Sequence, residues 1–539
     1  MSRRRRRESE LTTSPTPAPR TEVAIPSQFR RQFAADSGVE AQRERKYSLR
    51  AVIMLIGLMM VAAALGVIIF THTSMRLDEA QSLFQVSRDI PGLLNLVGQD
   101  VHVPGYHILL HYWLIIFGSY GDQIVIARYM SLIFMVALIP SIYILIRQIF
   151  NRRIAMFAAI LVSISPFLQW YGSEARMYSM LALITVLHQI VFLKLFRKGH
   201  AAHWVWFVVT AIIGLYTHYF FGFVLLTEAV FFLFYRKKFL PGSFQKFIVA
   251  AILAIGALTP WLLYVRSLGL ASNTQPYLPV PSSGDLFNTY AQFIFGFQVN
   301  NLNTIIVSVW PIIVLFAFWA LRKNHRTSPE LFFFVLAAVL PVVGAFVISI
   351  LIKPFFLSRY LVVSLPALFV LISWFASIYP RVVRRIVQTG LIGLTIVLLC
   401  VEIISPNTPV KEDYKQAVGY LYHNASSQDV IVATAPFTIY PIEYYYGNGP
   451  AKLTTQPIWN RFEQGSVPAF NPAKLPAETK ENVTSYQHAW LVLSYDQGYN
   501  QKMLKYYDSH YERLSMKKFS PGLVVYEYKL RYDPGFKIE

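Results

Sequence analysis

Up to about residue 405 the chain is a succession of long apolar runs separated by short polar connections. Arg50 to Phe70 contains no acid and almost no polar side chain, and about twenty such residues are what a helix needs to cross the hydrocarbon of a bilayer. Further runs fall at 122–149, 154–169, 177–196, 203–217, 219–235, 247–265, 302–321, 331–352, 360–379 and 386–404. The pattern predicts an all-α polytopic transmembrane bundle of about eleven spans. The run 154–169 is barely long enough to cross, so it is expected to tilt or to be capped by protein.

Between the first two spans, polar and apolar residues mix, as in Ile90 to Leu96 and Tyr106 to Trp113. These stretches are too polar to span and fit helices lying in the interface. The loop 266–301, with Pro276, Pro279 and Pro281, is expected to be mobile and to order on substrate binding. After about Asn407 the pattern turns soluble. Helical spacing at 411–424, 437–446 and 499–515 alternates with strand-like runs at 429–433, 489–493 and 523–528, which argues for a small α/β domain. The expected organisation is a disordered basic tail (1–49), a transmembrane domain (50–405) and an α/β domain (406–539).

Charge assigns the faces. Alternate connections are basic: Arg147, Arg152 and Arg153; Lys194, Arg197 and Lys198; Arg236 to Lys238; Arg322, Lys323 and Arg326; Arg381, Arg384 and Arg385. By the positive-inside rule these lie in the cytoplasm together with the N-terminal arginines, and the C-terminal domain lies outside. The formal charge of +20, with 55% hydrophobic and 14% charged residues, therefore reflects topology, not nucleic-acid binding. The first run starts some fifty residues in and is too long for a signal-peptide core, so it reads as a retained anchor of a multi-pass cell-membrane protein. The single cysteine, Cys400, lies in an apolar run and supports neither an intramolecular disulfide nor a cysteine metal site.

Five stretches emerge on the outer face with unusual polar content. Asp78 and Glu79 directly follow the first span; a carboxylate pair there either ends the helix or does chemistry. His102-Val103-Pro104-Gly105-Tyr106-His107 follows in the same loop, without metal-ligand spacing. Ser173-Glu174-Ala175-Arg176-Met177-Tyr178 opens a span; Glu174 suits a helix N-terminus, whereas Arg176 is repelled by it unless an anion is bound. Tyr216-Thr217-His218-Tyr219-Phe220 is a short turn in which the aromatics fit an interface belt and His218 is an open candidate. Lys353-Pro354 to Arg359-Tyr360 places two cations outside, against the positive-inside rule. Such cations either snorkel to headgroups or bind a lipid phosphate. A carboxylate, several cations and many aromatics at one mouth suit transfer of a group from a membrane-embedded phosphate ester to an alcohol.

Taken in order, these motifs resemble the bacterial polytopic glycosyltransferases of family 39 type, in the superfamily C that includes the protein O-mannosyltransferases and the lipid A aminoarabinose transferase. The resemblance covers about residues 50–530 and includes Leu77-Asp78-Glu79-Ala80, His102-x-Pro104-x-Tyr106 and the Lys411-Glu412-Asp413-Tyr414 stretch. It implies a polyprenyl-phosphate-linked sugar as donor, an acceptor hydroxyl of unknown lipid, glycan or protein origin, and inverting transfer of hexosyl or mannosyl type on the extracytoplasmic face. It also implies that Asp78 is the general base with Glu79 beside it, and that Arg176, Lys353 and Arg359 contact the donor phosphate. His102, Tyr106, Glu174, Tyr178, His218 and Tyr360 would line the substrate cavity. Gly105 stands where the family often has a second proline. No metal or other cofactor is expected, since cations occupy the place a metal would take. The competing reading is a lipid or polysaccharide transporter, whose polar residues would follow a path through the bundle; here they cluster at one mouth, with Glu228 and Glu402 the main exceptions.

Overall fold

The computed structural model describes residues 27–530, except 101, 199, 240–241, 269–277, 299–327, 406 and 462–466. Leu55–Glu539 forms one compact unit and Met1–Met54 another. The first helix, α1 (Ser27–His72), begins well inside the tail expected to lack structure. Residues 28–46 are rich in Gln, Arg, Ala and Glu, which favour helix, and extending an existing helix avoids the cost of a new nucleus.

Three short helices follow, the first two amphipathic and the third apolar on most sides: α2 (Leu77–Val86), α3 (Ile90–Gln99) and α4 (Gly105–Phe117). The bundle then continues through α5 (Gln123–Arg147), α6 (Arg152–Ile164), α7 (Pro166–Gly172), α8 (Tyr178–Lys198), α9 (Ala201–Thr217), α10 (Phe221–Tyr235) and α11 (Ser243–Ser267). Helices Pro329–Leu351, Leu365–Phe375 and Arg381–Ile404 complete it. Every expected span that falls on described residues coincides with a helix; the run 302–321 lies outside them. Among the described residues seven helices are long and apolar enough to cross a membrane, or eight if α6 and α7 count as one broken span.

The run 154–169 is that broken span: α6 and α7 meet at 56°. Pro166 cannot donate to the preceding turn, and Ser165 Oγ accepts from Leu168 N to cap the new helix. The break turns Trp170 and Tyr171 toward the end of the bundle where α2 lies. Part of the loop expected to be mobile is also regular: α12 (Ser283–Phe295) starts with a capping box in which Ser282 N donates to Asp285 Oδ2 at 2.8 Å.

The C-terminal region is a five-stranded sheet, β1 (Asp429–Thr434), β2 (Lys452–Gln456), β3 (His488–Leu493), β4 (Glu512–Ser520) and β5 (Leu523–Lys529). Its order is β2-β1-β3-β5-β4, parallel through β3 and antiparallel beyond. The fully buried β1 is an interior strand between β2 and β3, with Ile431 and Ala433 on the face that joins the core shared with the bundle. Val430 and Val432 face the opposite layer, with Tyr507 and Tyr528. The helix expected over 499–515 stops at His510, because Glu512–Ser520 pairs with β5 as an edge strand.

Candidate active site

The site is built from α2 outward. Glu79 stands at the third position of this helix and accepts from Arg76 N at 2.9 Å, closing its first turn. Its other contacts tie three segments together. Arg128, on α5, donates from Nε to Oε1 at 2.8 Å and from Nη2 to Oε2 at 2.6 Å. Ala175 N donates to Oε1 at 2.9 Å. Arg128 further donates to the carbonyls of Phe70, Thr73 and Ser74. Both residues are buried, Glu79 completely. Burial raises the Glu79 carboxyl, but Arg128 and these hydrogen bonds outweigh it and the acid is held ionised. Four donors saturate its two oxygens, so Glu79 anchors the loop and has no oxygen left for a substrate proton.

Asp78, one residue earlier, points elsewhere. Its Oδ2 lies 3.1 Å from Arg359 Nη1, with about a quarter of each side chain exposed. Arg176 approaches the same turn: Nη1 donates to Ser82 Oγ at 2.9 Å and to the Asp78 carbonyl at 3.3 Å. Arg76 completes the ring, with Nη1 3.0 Å from Glu174 Oε2 and its guanidinium 4.6 Å from the Trp170 ring. Burial alone would raise the Asp78 carboxyl; Arg359, Arg176 and Arg76 reverse this and hold it well below the usual carboxylate range. Glu174 goes the other way, raised mainly by burial and further by Asp78 and Glu79 against the pull of Arg76.

Histidines and tyrosines form the walls. Arg176 Nη2 lies 2.6 Å from His102 Nε2; a guanidinium only donates, so Nε2 accepts and the ring proton sits on Nδ1. His218 Nδ1 accepts from Phe220 N at 3.1 Å, and burial, reinforced by His102, Arg176 and Arg359, pushes this imidazole down to about 3. The His218 ring packs on Tyr360 at 5.3 Å, and Tyr178 packs on Tyr171 at 5.0 Å. Tyr106 is structural: its OH pairs with Ser131 Oγ at 3.0 Å, and Ser131 in turn donates to the Arg176 carbonyl. Lys353 is exposed at the start of the link whose other end carries Arg359.

Several buried donors around Asp78 have no hydrogen-bond partner among the described residues: Arg176 Nε, Arg359 Nε, the Tyr178 hydroxyl and Trp170 Nε1. Buried polar groups are normally satisfied. Unmet donors beside three guanidinium groups suit an anionic ligand with several acceptor oxygens.

Asp78, Glu79, Arg176, Arg359, His102, Glu174, Tyr178, His218 and Tyr360 are thus gathered at one end of the bundle. Arg76, Arg128 and Tyr171 belong to the same group and were not singled out from the sequence. Arg128 did carry a signal, being the lone charge between Gln123 and Ile146, since such a charge inside a span calls for a partner. Glu228, one of the mid-span exceptions, is closed off locally, with Oε2 2.9 Å from His188 Nε2 and His188 Nδ1 2.6 Å from Thr210 Oγ1. The other, Glu402, accepts from Phe297 N at 2.8 Å.

The architecture is thus a helical bundle of membrane-spanning length with short helices and a small sheet domain at the site end. Residues 102–264 match the family described as dolichyl-phosphate-mannose-protein mannosyltransferase. Among solved structures, ArnT from Cupriavidus metallidurans in the apo state aligns over 89% of this chain and 98% of its own, at 14% identity and a TM-score of 0.57. The same protein bound to undecaprenyl phosphate aligns with equal coverage and identity at a TM-score of 0.53. No curated protein matches the sequence. The family match and the fold together support a membrane glycosyltransferase, as the motifs led one to expect.

Proposed function

We propose that this protein transfers a sugar from a polyprenyl-phosphate-linked donor to an acceptor hydroxyl on the extracytoplasmic side of the cell membrane, with inversion at the anomeric carbon and Asp78 as general base. The family match and the likeness to a structure holding undecaprenyl phosphate support the donor class. The observation that carries the reading is the position of Asp78 among Arg359, Arg176 and Arg76, with donors left unmet around it.

In this reading the donor phosphate binds Arg359 and Arg176, while Tyr178 and Trp170 offer further hydrogen bonds. Engaging Arg359 loosens its pair with Asp78, and the carboxylate becomes more basic when a base is needed. The acceptor O–H then gives its proton to Asp78 as its oxygen bonds to the anomeric carbon. The bond from that carbon to the phosphate oxygen breaks, and the polyprenyl phosphate leaves with the electron pair, its charge met by the guanidinium groups. Glu79 and Arg128 hold the geometry without touching substrate. The arginines supply the positive charge that a metal would otherwise bring. Lys353, exposed at the outer link, would meet the lipid phosphate as it enters or leaves.

The test is sugar release or transfer by the purified chain in liposomes from a panel of polyprenyl-phosphate sugars, mannose and other hexoses first and aminoarabinose included. Consumption of one donor supports the reading and names the sugar. Movement of intact donor across the bilayer without cleavage would replace the reading with transport.

A further inference from the structure

A cavity of about 700 Å³ lies away from the carboxylate site, at the other end of the bundle. It lies between the start of α6 and the start of helix Arg381–Ile404. That helix rises about 36 Å over its 24 residues, and its far end, at Glu402, is the one near Trp170. The two ends of the bundle are therefore a membrane thickness apart.

Arg153, Arg381, Arg384 and Arg385 line this cavity. Arg384 is half-buried and the others are exposed. Among the described residues none of the four has a carboxylate within ion-pairing distance, in contrast to the paired arginines of the other end. Both helices also begin here, so the positive ends of two dipoles add to four guanidinium charges. Helix Arg381–Ile404 has no side-chain cap at Pro380, leaving its first amides available. Topology requires basic residues at a cytoplasmic boundary, but it does not require them to converge on one cavity. Moving away from the helix starts, the lining changes character: Met156, Phe157 and Ile160 on α6 and Ile392 on the last helix make an apolar wall. Along α6 that wall begins about 4.5 Å from Arg153, at Met156, and extends to about 10 Å, at Ile160. Ser377 and Gln388, hydrogen-bonded to each other at 3.1 Å, lie between.

We infer that this cavity binds a phosphate carried on an amphiphile, an anionic phospholipid whose phosphate meets the arginines and whose first acyl carbons lie on the apolar wall. Guanidinium forks match phosphate oxygens, and a wall of Met, Phe and Ile has no use for a free anion. The site is independent of the sugar-transfer reading, because no residue is shared.

The experiment measures ligand retention by the purified full chain in native mass spectra and by thermal shift. The probes are a short-chain phosphatidylglycerol, the matching phosphatidylcholine and inorganic phosphate. Wild type is expected to retain one phosphatidylglycerol per chain and to melt at a higher temperature with it, with no such effect from phosphatidylcholine. Arg384→Gln with Arg385→Gln should weaken retention about tenfold or more, and so should Arg153→Gln with Arg381→Gln, a second pair that guards against misfolding of the first. Lys237→Gln, a basic residue of the same end outside the cavity, should match wild type. Stabilisation by inorganic phosphate alone, lost in both pairs, would keep the phosphate site but make its ligand soluble. Equal retention by wild type and both pairs, equal retention of the zwitterionic lipid, or no response to any probe would overturn the proposal.

Discussion

At the scale of single residues, two adjacent acids do different work because their side chains leave the first turn of α2 in different directions. Glu79 is enclosed by Arg128, Ala175 N and Arg76 N, and Asp78 faces the partly open side beside Arg359. Removing one partner of a buried ion pair strands the other's charge, at a cost of about 3–5 kcal/mol. Arg128→Ala and Glu79→Gln should therefore both lower the thermal midpoint of the purified protein strongly, and combining them should cost less than the sum. Additive losses would show that the pair is not coupled. Asp78 also predicts a pH signature. A carboxylate held below its usual range stays ionised as pH falls, and what its ion pairs contribute to stability is present above the unfolded value of about 3.9 and lost only as pH drops through the depressed folded value. With donor limiting, kcat/KM should show no acid limb from Asp78 between pH 5 and 8. With donor saturating, its phosphate shares Arg359, and kcat should show an acid limb at a higher pH than kcat/KM does. Coincident limbs would contradict the exchange of partners.

At the scale of elements, the site depends on close approaches that sequence patterns describe poorly. A Cβ on Gly105 would fall 2.4 Å from the Tyr216 carbonyl oxygen, so only glycine lets α4 begin against the turn that holds His218. Gly105→Ala should overpack this contact by about 1–3 kcal/mol and lower activity through displaced His102 and His218, an outcome checked by comparing kcat/KM with the melting curve. Unchanged values for both would mean that the approach is looser than described. The helices themselves were legible because the spans are uniformly apolar and the connections charged. The break at Ser165-Pro166 was less so, since its apolar residues continue across the bend. Strands β1, β3 and β5 announced themselves as Val-rich and aromatic runs, whereas β2 and the largely exposed β4 are edge strands without a hydrophobic signature. The candidate site was legible as motifs at span ends. Its support was not: Arg128 and Arg76 act by pairing across segments far apart in sequence, and only the fold shows which acid each one meets.

At the scale of the whole molecule, the sheet domain is part of the site's frame. Met75 N donates to Tyr445 Oη at 2.8 Å and Lys415 N donates to Ser74 Oγ at 3.1 Å, so helices of that domain grip the loop that delivers Asp78. Phe84 on α2 packs on Tyr440 at 4.9 Å, with the Arg461 guanidinium over both rings. Helix α2 is thus held between bundle and sheet domain, and the mouth between them is where donor and acceptor would meet. The measurement that bears most directly on this account compares wild type with Asp78→Asn in liposomes, reading sugar transfer and donor binding separately on the donor that wild type consumes. The account predicts donor binding within a few-fold of wild type or tighter, since Arg359 is released, and turnover lower by about 10²–10⁴-fold, the usual contribution of a general base. Turnover within a few-fold of wild type would contradict it and move the base away from Asp78.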